Sequence, residues 1–374
     1  MSEYLYFDSA ATTKPCKQAL DAVARAYEEY GNPSSLHGAG LAAKAMLDEA
    51  RRQVARAIRC TPEELIFTGS GTEATNQALF GLASLRGKRS KKIITTDSEH
   101  PSVEECMKAL EERGFRVVRL STKGGVLDVA QLKEELAEPV AFLSIMQANN
   151  ETGAVYDVSA VRRAMTAARC DAPLHCDNVQ GFLKLPGSRL ASECDLMTVS
   201  AHKIGGVKGV GALYVKKGIH LPPYLLGGGQ EGGLRSGTEN VAAIAAFGAA
   251  AEAACADRER VSYIRSLRDE TEAILTEMGI PCHVPPVHLP NILHIHLPGV
   301  PGSWALNSLA AKNICVSQGS ACSARKKGSR VLTAYGLNED EILSSLRISF
   351  CENNTKEECA ALCEALQEAA HLQK

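Results

Sequence analysis

Lys203 closes the run Thr-Val-Ser-Ala-His-Lys (198–203), after an apolar stretch of strand character and before the glycine-rich Ile-Gly-Gly-Val-Lys-Gly-Val-Gly (204–211). A lysine amine held at such a turn can condense with an aldehyde, provided its neighbours lower its pKa or the aldehyde itself supplies a charged partner. Upstream lies Leu-His-Cys-Asp-Asn-Val-Gln (174–180), in which Asp177 closes an apolar strand and Gln180 follows it. A carboxylate paired to a pyridine nitrogen keeps that ring protonated and makes it an electron sink. Lysine and acid together point to pyridoxal 5′-phosphate as the aldehyde. The plain alternative is a surface lysine and a strand-end turn aspartate, and the remaining motifs weigh against it.

Phe-Thr-Gly-Ser-Gly-Thr-Glu-Ala-Thr-Asn (67–76) reads as a strand, a small-residue turn and a helix start. First-turn amides at such a start point toward an anion, glycines such as Gly71 let backbone approach, and Thr72 adds a hydroxyl donor. His100, in Glu99-His100 after the next strand, could stack on an aromatic cofactor or move a proton, or simply cap a helix. Asn150, in Asn149-Asn150-Glu151-Thr152-Gly153, offers an amide to a ring hydroxyl, with an ordinary turn as the alternative. The stretch 227–240, Gly-Gly-Gly-Gln-Glu-Gly-Gly-Leu-Arg-Ser-Gly-Thr-Glu-Asn, reads as an anion-contacting loop carrying Arg235 and Thr238, or as a flexible linker.

Of thirteen cysteines, Cys322 in Val-Ser-Gln-Gly-Ser-Ala-Cys-Ser-Ala-Arg-Lys-Lys (316–327) is the candidate nucleophile. Small neighbours are expected to let its sulfur swing toward a substrate, and Arg325, Lys326 and Lys327 favour the thiolate. Arg347, in Ser-Leu-Arg-Ile-Ser-Phe (345–350), is a candidate clamp for an amino-acid carboxylate or a plain strand-edge arginine.

These residues need a scaffold that gathers strand ends. Apolar, β-branched runs at 65–68, 92–96, 116–120, 140–146, 173–176, 195–200 and 210–215 alternate with segments of helical period such as 72–85 and 158–168. The alternation predicts an α/β fold, a mainly parallel sheet between helices, with ligands at the strands' carboxyl ends. The alanine-rich stretch 240–278 reads as long helix, followed by a proline-rich passage and a mixed segment. We therefore expect an N-terminal segment over 1–15, a large domain over 16–250 and a smaller α+β domain over 251–374. The chain's 374 residues, 45% hydrophobic, suit such a division, and a net charge of −2 without a basic stripe gives no case for nucleic acid. No apolar run reaches the roughly 20 residues that span a bilayer, and the first residues lack signal-peptide character. An odd cysteine count without a CxxC framework favours reduced thiols, no metal site at Cys359 and Cys363, and the cytoplasm.

In order and spacing these segments, with Tyr-Phe-Asp-Ser-Ala-Ala-Thr-Thr (6–13) and Gly-Asn-Pro-Ser-Ser-Leu-His (31–37), resemble the cysteine desulfurases of the class V, fold-type I pyridoxal phosphate enzymes. The resemblance runs nearly end to end. It implies Lys203 as cofactor lysine, Asp177 at the ring nitrogen, Gln180 and Asn150 near the ring oxygen and His100 on the ring face. It also implies Gly71, Thr72, Ser200 and His202 at the phosphate, with Thr238 reaching it from the second subunit of a homodimer. The implied reaction converts L-cysteine to L-alanine, with Cys322 carrying a persulfide to an acceptor protein. Selenocysteine lyase, another β-lyase, an aminotransferase and a non-catalytic sulfur-relay scaffold are the competing expectations. The chain departs from the family pattern at Gln230, where many relatives carry histidine, at Gly232, where they carry arginine, and at Gly206-Val207-Lys208-Gly209, where they carry Gly-Pro-Lys-Gly. It also ends without the longer tail of some relatives.

Overall fold

Strands that are apolar on both faces bury themselves only between two helical layers, and that requirement organises the large sheet. The computed structural model describes residues 4–185, 190–319 and 328–371. After a short β1 (Leu5–Tyr6) come β2 (Leu65–Thr68), β3 (Lys92–Thr96), β4 (Arg116–Leu120), β5 (Phe142–Ser144), β6 (Leu174–Asp177), β7 (Leu196–Ser200) and β8 (Gly211–Val215). These seven lie in the order β2-β8-β7-β6-β5-β3-β4, and β8 alone runs antiparallel to its neighbours. Every residue of the sheet is buried except along the edge strand β4.

Alternation along the strands sends neighbouring side chains to opposite layers. Ile66, Ile93, Phe142 and Leu196 pack under the helices Gly71–Arg86 and Pro101–Glu112. Phe67, Ile94, Leu143 and Met197 face the helices Gly38–Ile58, Val158–Ala167 and Val241–Ala256. The chain passes from β3 outward to β4 and then back across to β5, so the winding reverses between β3 and β5. A crevice at the strands' carboxyl ends follows from that reversal. The architecture is that of a fold-type I transferase.

A second core lies further along the chain. β9 (Cys282–His283), β10 (Ile292–His296), β11 (Ile314–Cys315) and β12 (Ser345–Ser349) complete the strands, with β12-β10-β9 antiparallel and β1 parallel to β11. Leu293, Ile295, Leu346 and Ile348 pack with the helices Arg260–Glu277 and Lys356–His371. Phe7 joins this core and meets Phe350 edge-on at 5.6 Å. Cys359 and Cys363 are buried there as packing residues, and the described cysteines are all free thiols. Among the described residues, no helix is long and apolar enough to cross a membrane.

The stretch expected as one long helix from 240 to 278 is two, Val241–Ala256 and Arg260–Glu277. Asp257 breaks it: its Oδ1 accepts from the amides of Glu259 at 3.2 Å and Arg260 at 3.0 Å, which closes a turn at the entry to the second helix.

Candidate active site

Five strand ends line one cavity of about 250 Å³. The turn after β2 supplies Ser70, Gly71 and Thr72, and that after β3 supplies His100 and Ser102. Met146, Ala148 and Asn150 follow β5, while Asp177, Val179 and Gln180 close β6. Ser200, His202 and Lys203 close β7.

Lys203 is fixed from outside the sheet. Its Nζ donates to the carbonyls of Ala10 at 2.7 Å and Ala11 at 2.8 Å. Thr13 braces the turn behind it, donating from Oγ1 to the carbonyl of His202 at 3.0 Å and accepting from the amide of Gly205 at 2.8 Å. Gly205 has φ +85°, a conformation that costs glycine little and other residues strain. Burial lowers the Lys203 pKa to about 8; the charge of Arg347 pushes the same way, and Asp8 and Asp177 oppose it.

Asp177 accepts from the amide of Val179 at 3.0 Å, and burial raises its pKa to about 6. Glu99 lies behind the wall, fully buried, and is raised to about 8 by burial and then by the charge of Asp177. Its Oε1 accepts from Thr96 Oγ1 at 2.9 Å and the Met146 amide at 2.8 Å, while Oε2 has no hydrogen-bond partner. Two buried acids with coupled charges do not both ionise readily, so near neutral pH the proton belongs on Glu99 and the charge on Asp177.

A stability prediction follows from this. A carboxyl whose folded pKa is raised from 4.5 to about 8 gives its full stabilisation below the ordinary value. That stabilisation falls by about 1.4 kcal/mol per pH unit as pH rises between the two values and levels off above the upper one. Glu99→Gln removes this slope. Urea unfolding across that window is expected to show the variant gaining on the wild type with rising pH; a difference independent of pH would assign the neutral acid wrongly.

His100 caps the helix Pro101–Glu112, with Pro101 at the first helical position. The Ser102 amide donates to its Nδ1 at 3.1 Å, and Ser102 Oγ lies 2.8 Å from the same nitrogen. An Nδ1 that accepts from an amide leaves the ring proton on Nε2. Burial, with the charge of Lys203, lowers the pKa to about 4, so the neutral ring is the resting form. His202 is likewise lowered to about 4 by burial, and its Nδ1 lies 3.2 Å from Thr12 Oγ1.

Gln180 donates from Nε2 to the Ala10 carbonyl at 2.9 Å and accepts at Oε1 from Lys184 Nζ at 3.0 Å. Asn149 holds the turn beside it, accepting from the amides of Glu151 and Thr152 at 2.8 and 2.9 Å. Asn150 is thereby presented with a buried Oδ1 that has no partner. At the opposite end, Ser70 caps the helix Gly71–Arg86 by accepting from the Glu73 amide at 3.1 Å. A Cβ on Gly71 would stand 3.2 Å from Val179 Cγ2, so the missing side chain keeps this corner open.

Two expected contacts, Arg347 and Arg235, do not line the cavity. Arg347 is buried with Nη1 donating to the Asn150 carbonyl at 2.7 Å and Nη2 to Asp8 Oδ1 at 2.8 Å, so it braces the wall from behind. Arg235 pairs with Glu73 at 2.8 Å, and Thr238 is exposed. The glycine-rich loop is anchored rather than a loose linker. Glu231 binds Arg51 at 2.5 Å and the Phe67 amide at 2.8 Å, and Gln230 Oε1 accepts from the Gly237 amide at 2.9 Å. Cys322, with Arg325, Lys326 and Lys327, lies outside the described residues.

Sequence reasoning passed over the carbonyls of Ala10 and Ala11, the proton on Glu99, and Lys184. Glu99 had a signal in its position beside His100. Backbone carbonyls have none.

The site's lysine, acid and helix start at strand ends place the chain in the class of fold-type I, pyridoxal phosphate-type transferases. The sequence matches the Aminotransferase class-V family over residues 5–362. It is 37% identical to the cysteine desulfurase of Trichormus azollae over 371 residues, covering 97% of this chain and 92% of the relative. It is 39% identical to the cysteine desulfurase IscS of an Anaeromyxobacter species over 368 residues, covering 95% and 89%. The solved structure of a NifS-like protein superposes with a TM-score of 0.92 at 35% identity, covering 98% of this chain and 99% of that one. The chain belongs to the class-V aminotransferase family and, within it, to the cysteine desulfurases.

Proposed function

We propose that this enzyme takes sulfur from L-cysteine, leaves L-alanine, and passes the sulfur through a persulfide on Cys322 to an acceptor thiol. The observation that carries the reading is the convergence of Lys203, Asp177 and the amino end of the Gly71–Arg86 helix on one cavity. The names of the relatives support the substrate.

Pyridoxal phosphate fits the residues present. The unpartnered Asn150 Oδ1, the opening at Gly71 and the pairing of a lysine with an acid across one cavity are what such a ring, phosphate and aldehyde need. Lys203 would hold the aldehyde, Asp177 the ring nitrogen, Gln180 and Asn150 the ring oxygen region, and His100 the ring face. Gly71, Thr72, Ser200 and His202 would hold the phosphate, joined by Thr238 from the second copy of a homodimer. When bound, the group supplies an electron sink that acidifies the substrate's Cα.

The chain's own residues do the rest. Lys203 Nζ would accept the Cα proton; a pKa near 8 leaves a useful neutral fraction at physiological pH. Asp177, ionised above its pKa of about 6 while Glu99 keeps its proton, would hold a proton on the ring nitrogen. His100, with its hydrogen on Nε2, is a donor rather than a base. The Cys322 thiolate attacks the substrate sulfur, the new S–S bond forms as the C–S bond breaks, and protonation of the carbon skeleton gives alanine. Arg347 sets Asn150 and Asp8 in place, and exchange of its Asp8 contact for the substrate carboxylate would make it the clamp.

On this reading residues 16–250 hold the cofactor, 251–374 bring Cys322 to it and 1–15 tie the two together. The acceptor is an iron–sulfur scaffold or another sulfur-using protein, and free thiols suit the reducing cytoplasm. The test is product analysis of the holoenzyme with L-cysteine and reductant. Sulfide and alanine in equal amounts support desulfuration. Amino transfer to a keto acid would favour an aminotransferase, and a strong preference for selenocysteine would favour the lyase.

A further inference from the structure

Away from the cavity, three ligand-type side chains meet on the small three-stranded sheet. His283 on β9 stands opposite His294 on β10, and His296, two residues further on, shares their face. His283 Nε2 and His296 Nδ1 lie 2.8 Å apart, with ring centroids at 4.9 Å and planes within 28° of each other. Glu341, on the short helix Glu339–Leu343, brings a carboxylate to the same place. One donor atom from each of the three residues lies within 4.8 Å of the other two, and all three are partly exposed.

The carboxylate is held in position. The Asn338 amide donates to Glu341 Oε2 at 2.8 Å, and Asn338 Oδ1 accepts from the Glu341 amide at 3.0 Å, so a capping box fixes its orientation. The imidazoles are held as well, by strand pairing below and by the edge-on ring of Tyr335 beside His283 at 6.4 Å.

The spacing matches shared coordination. Two nitrogens bound at about 2.0–2.1 Å to one ion are separated by roughly 2.9 Å at a right angle and roughly 3.4 Å at the tetrahedral angle. The observed 2.8 Å is a hydrogen-bond separation just below that span, and widening it to the tetrahedral value takes a movement of a few tenths of an ångström per ring. An ion taking a lone pair from both rings would require them to turn from their present mutual hydrogen bond toward a common point. Two histidines and a carboxylate suit a borderline divalent ion and leave a position for water. Among the described residues this is the one group of three such side chains close enough to share an ion.

We propose that His283, His296 and Glu341 form a binding site for a zinc-class divalent cation, separate from the cofactor cavity. Such an ion would clip β9 and β10 to the helix that leads directly into β12, the strand carrying Arg347. It would replace the hydrogen shared between the two rings and neutralise the carboxylate between them.

The experiment titrates Zn²⁺ into cofactor-loaded protein that has been stripped with chelator, by calorimetry and by thermal unfolding. Because cysteine thiols also bind zinc, the measured quantity is the difference between wild type and variants. Wild type is expected to take up about one more equivalent than His283→Ala/His296→Ala. Glu341→Gln, whose amide oxygen still serves the cap, should bind at this site about tenfold or more weakly. Should the double variant fail to fold, His296→Gln and Glu341→Gln carry the test through the zinc-dependent rise in Tm, which they should lack. Equal zinc uptake in wild type and double variant, or an equal rise in Tm in all single variants, overturns the site. With Co²⁺ in place of zinc, wild-type bands of nitrogen and oxygen ligation that vanish in His296→Gln support it, and purely thiolate bands count against it.

Discussion

Lys203→Ala protein is expected to fold, to lose the visible absorbance of covalently held cofactor, and to form alanine from L-cysteine at least about 10²- to 10⁴-fold more slowly. Two losses combine. The amine that would fix the cofactor is gone, and so is the base that would take the Cα proton. The fold should survive because the amine's present partners are the carbonyls of Ala10 and Ala11 beside an open cavity, where water can replace it. Gln180 also continues to donate to Ala10. Lys203→Arg separates charge from basicity: it keeps a cation near those carbonyls but cannot release a proton at working pH, so it should be as inactive as alanine. In cofactor-free wild type the sign of the pH dependence is fixed by the lowered pKa. The neutral amine grows with pH, so the rate of cofactor capture, followed by absorbance, should rise up to about pH 8 and then level off. A rate that keeps climbing toward the ordinary lysine value would mean that burial does not act on Lys203 as described, and a Lys203→Ala enzyme with wild-type turnover would remove Lys203 from the mechanism altogether.

The residues legible in the sequence were those whose position follows from a sheet rule. Gly71, Thr72, His100, Asn150, Asp177, Gln180, Ser200, His202 and Lys203 each follow an apolar run, and a winding that reverses between β3 and β5 gathers such positions into one crevice. What holds them was not legible. Lys203 is gripped by carbonyls some 190 residues away in sequence, and a carbonyl carries no residue signature. The protonation of Glu99 depends on burial and on its distance from Asp177, neither of which periodicity reports. Nor could the letters decide whether the imidazole of His100 faced a ring as base or donor; the Ser102 amide decides that. Arg347 was legible as a cation near the site but not as a brace, because its partners Asn150 and Asp8 stand 197 and 339 residues away in sequence. The break at Asp257 did have a local sign, since an aspartate that ends an alanine run just before Arg-Glu-Arg is a turn signal.

Cys322→Ser is expected to lower sulfide and alanine formation together, by at least about 10²-fold, while the L-cysteine-induced change in cofactor absorbance persists. The argument is one of nucleophilicity. A thiol near its ordinary pKa is only a few per cent ionised at neutral pH, and three cationic neighbours in sequence, Arg325, Lys326 and Lys327, are expected to enlarge that fraction. A serine hydroxyl in the same position has essentially no anion at that pH and cannot take sulfur in a form that reductant releases. On the proposed reading Cα deprotonation would fall to Lys203, with Asp177 at the ring nitrogen, so both should continue in the variant, and the spectral change reads them separately from sulfur transfer. Six of the described thiols offer no ready substitute: burial raises the pKa values of Cys60, Cys106, Cys176, Cys194, Cys282 and Cys363, which keeps them protonated. Alkylation followed by mass analysis after one turnover should therefore find the extra sulfur on the peptide containing Cys322. A persulfide on another peptide, or alanine formation by Cys322→Ser at the wild-type rate, would move the nucleophile elsewhere while leaving the roles of Lys203 and Asp177 intact.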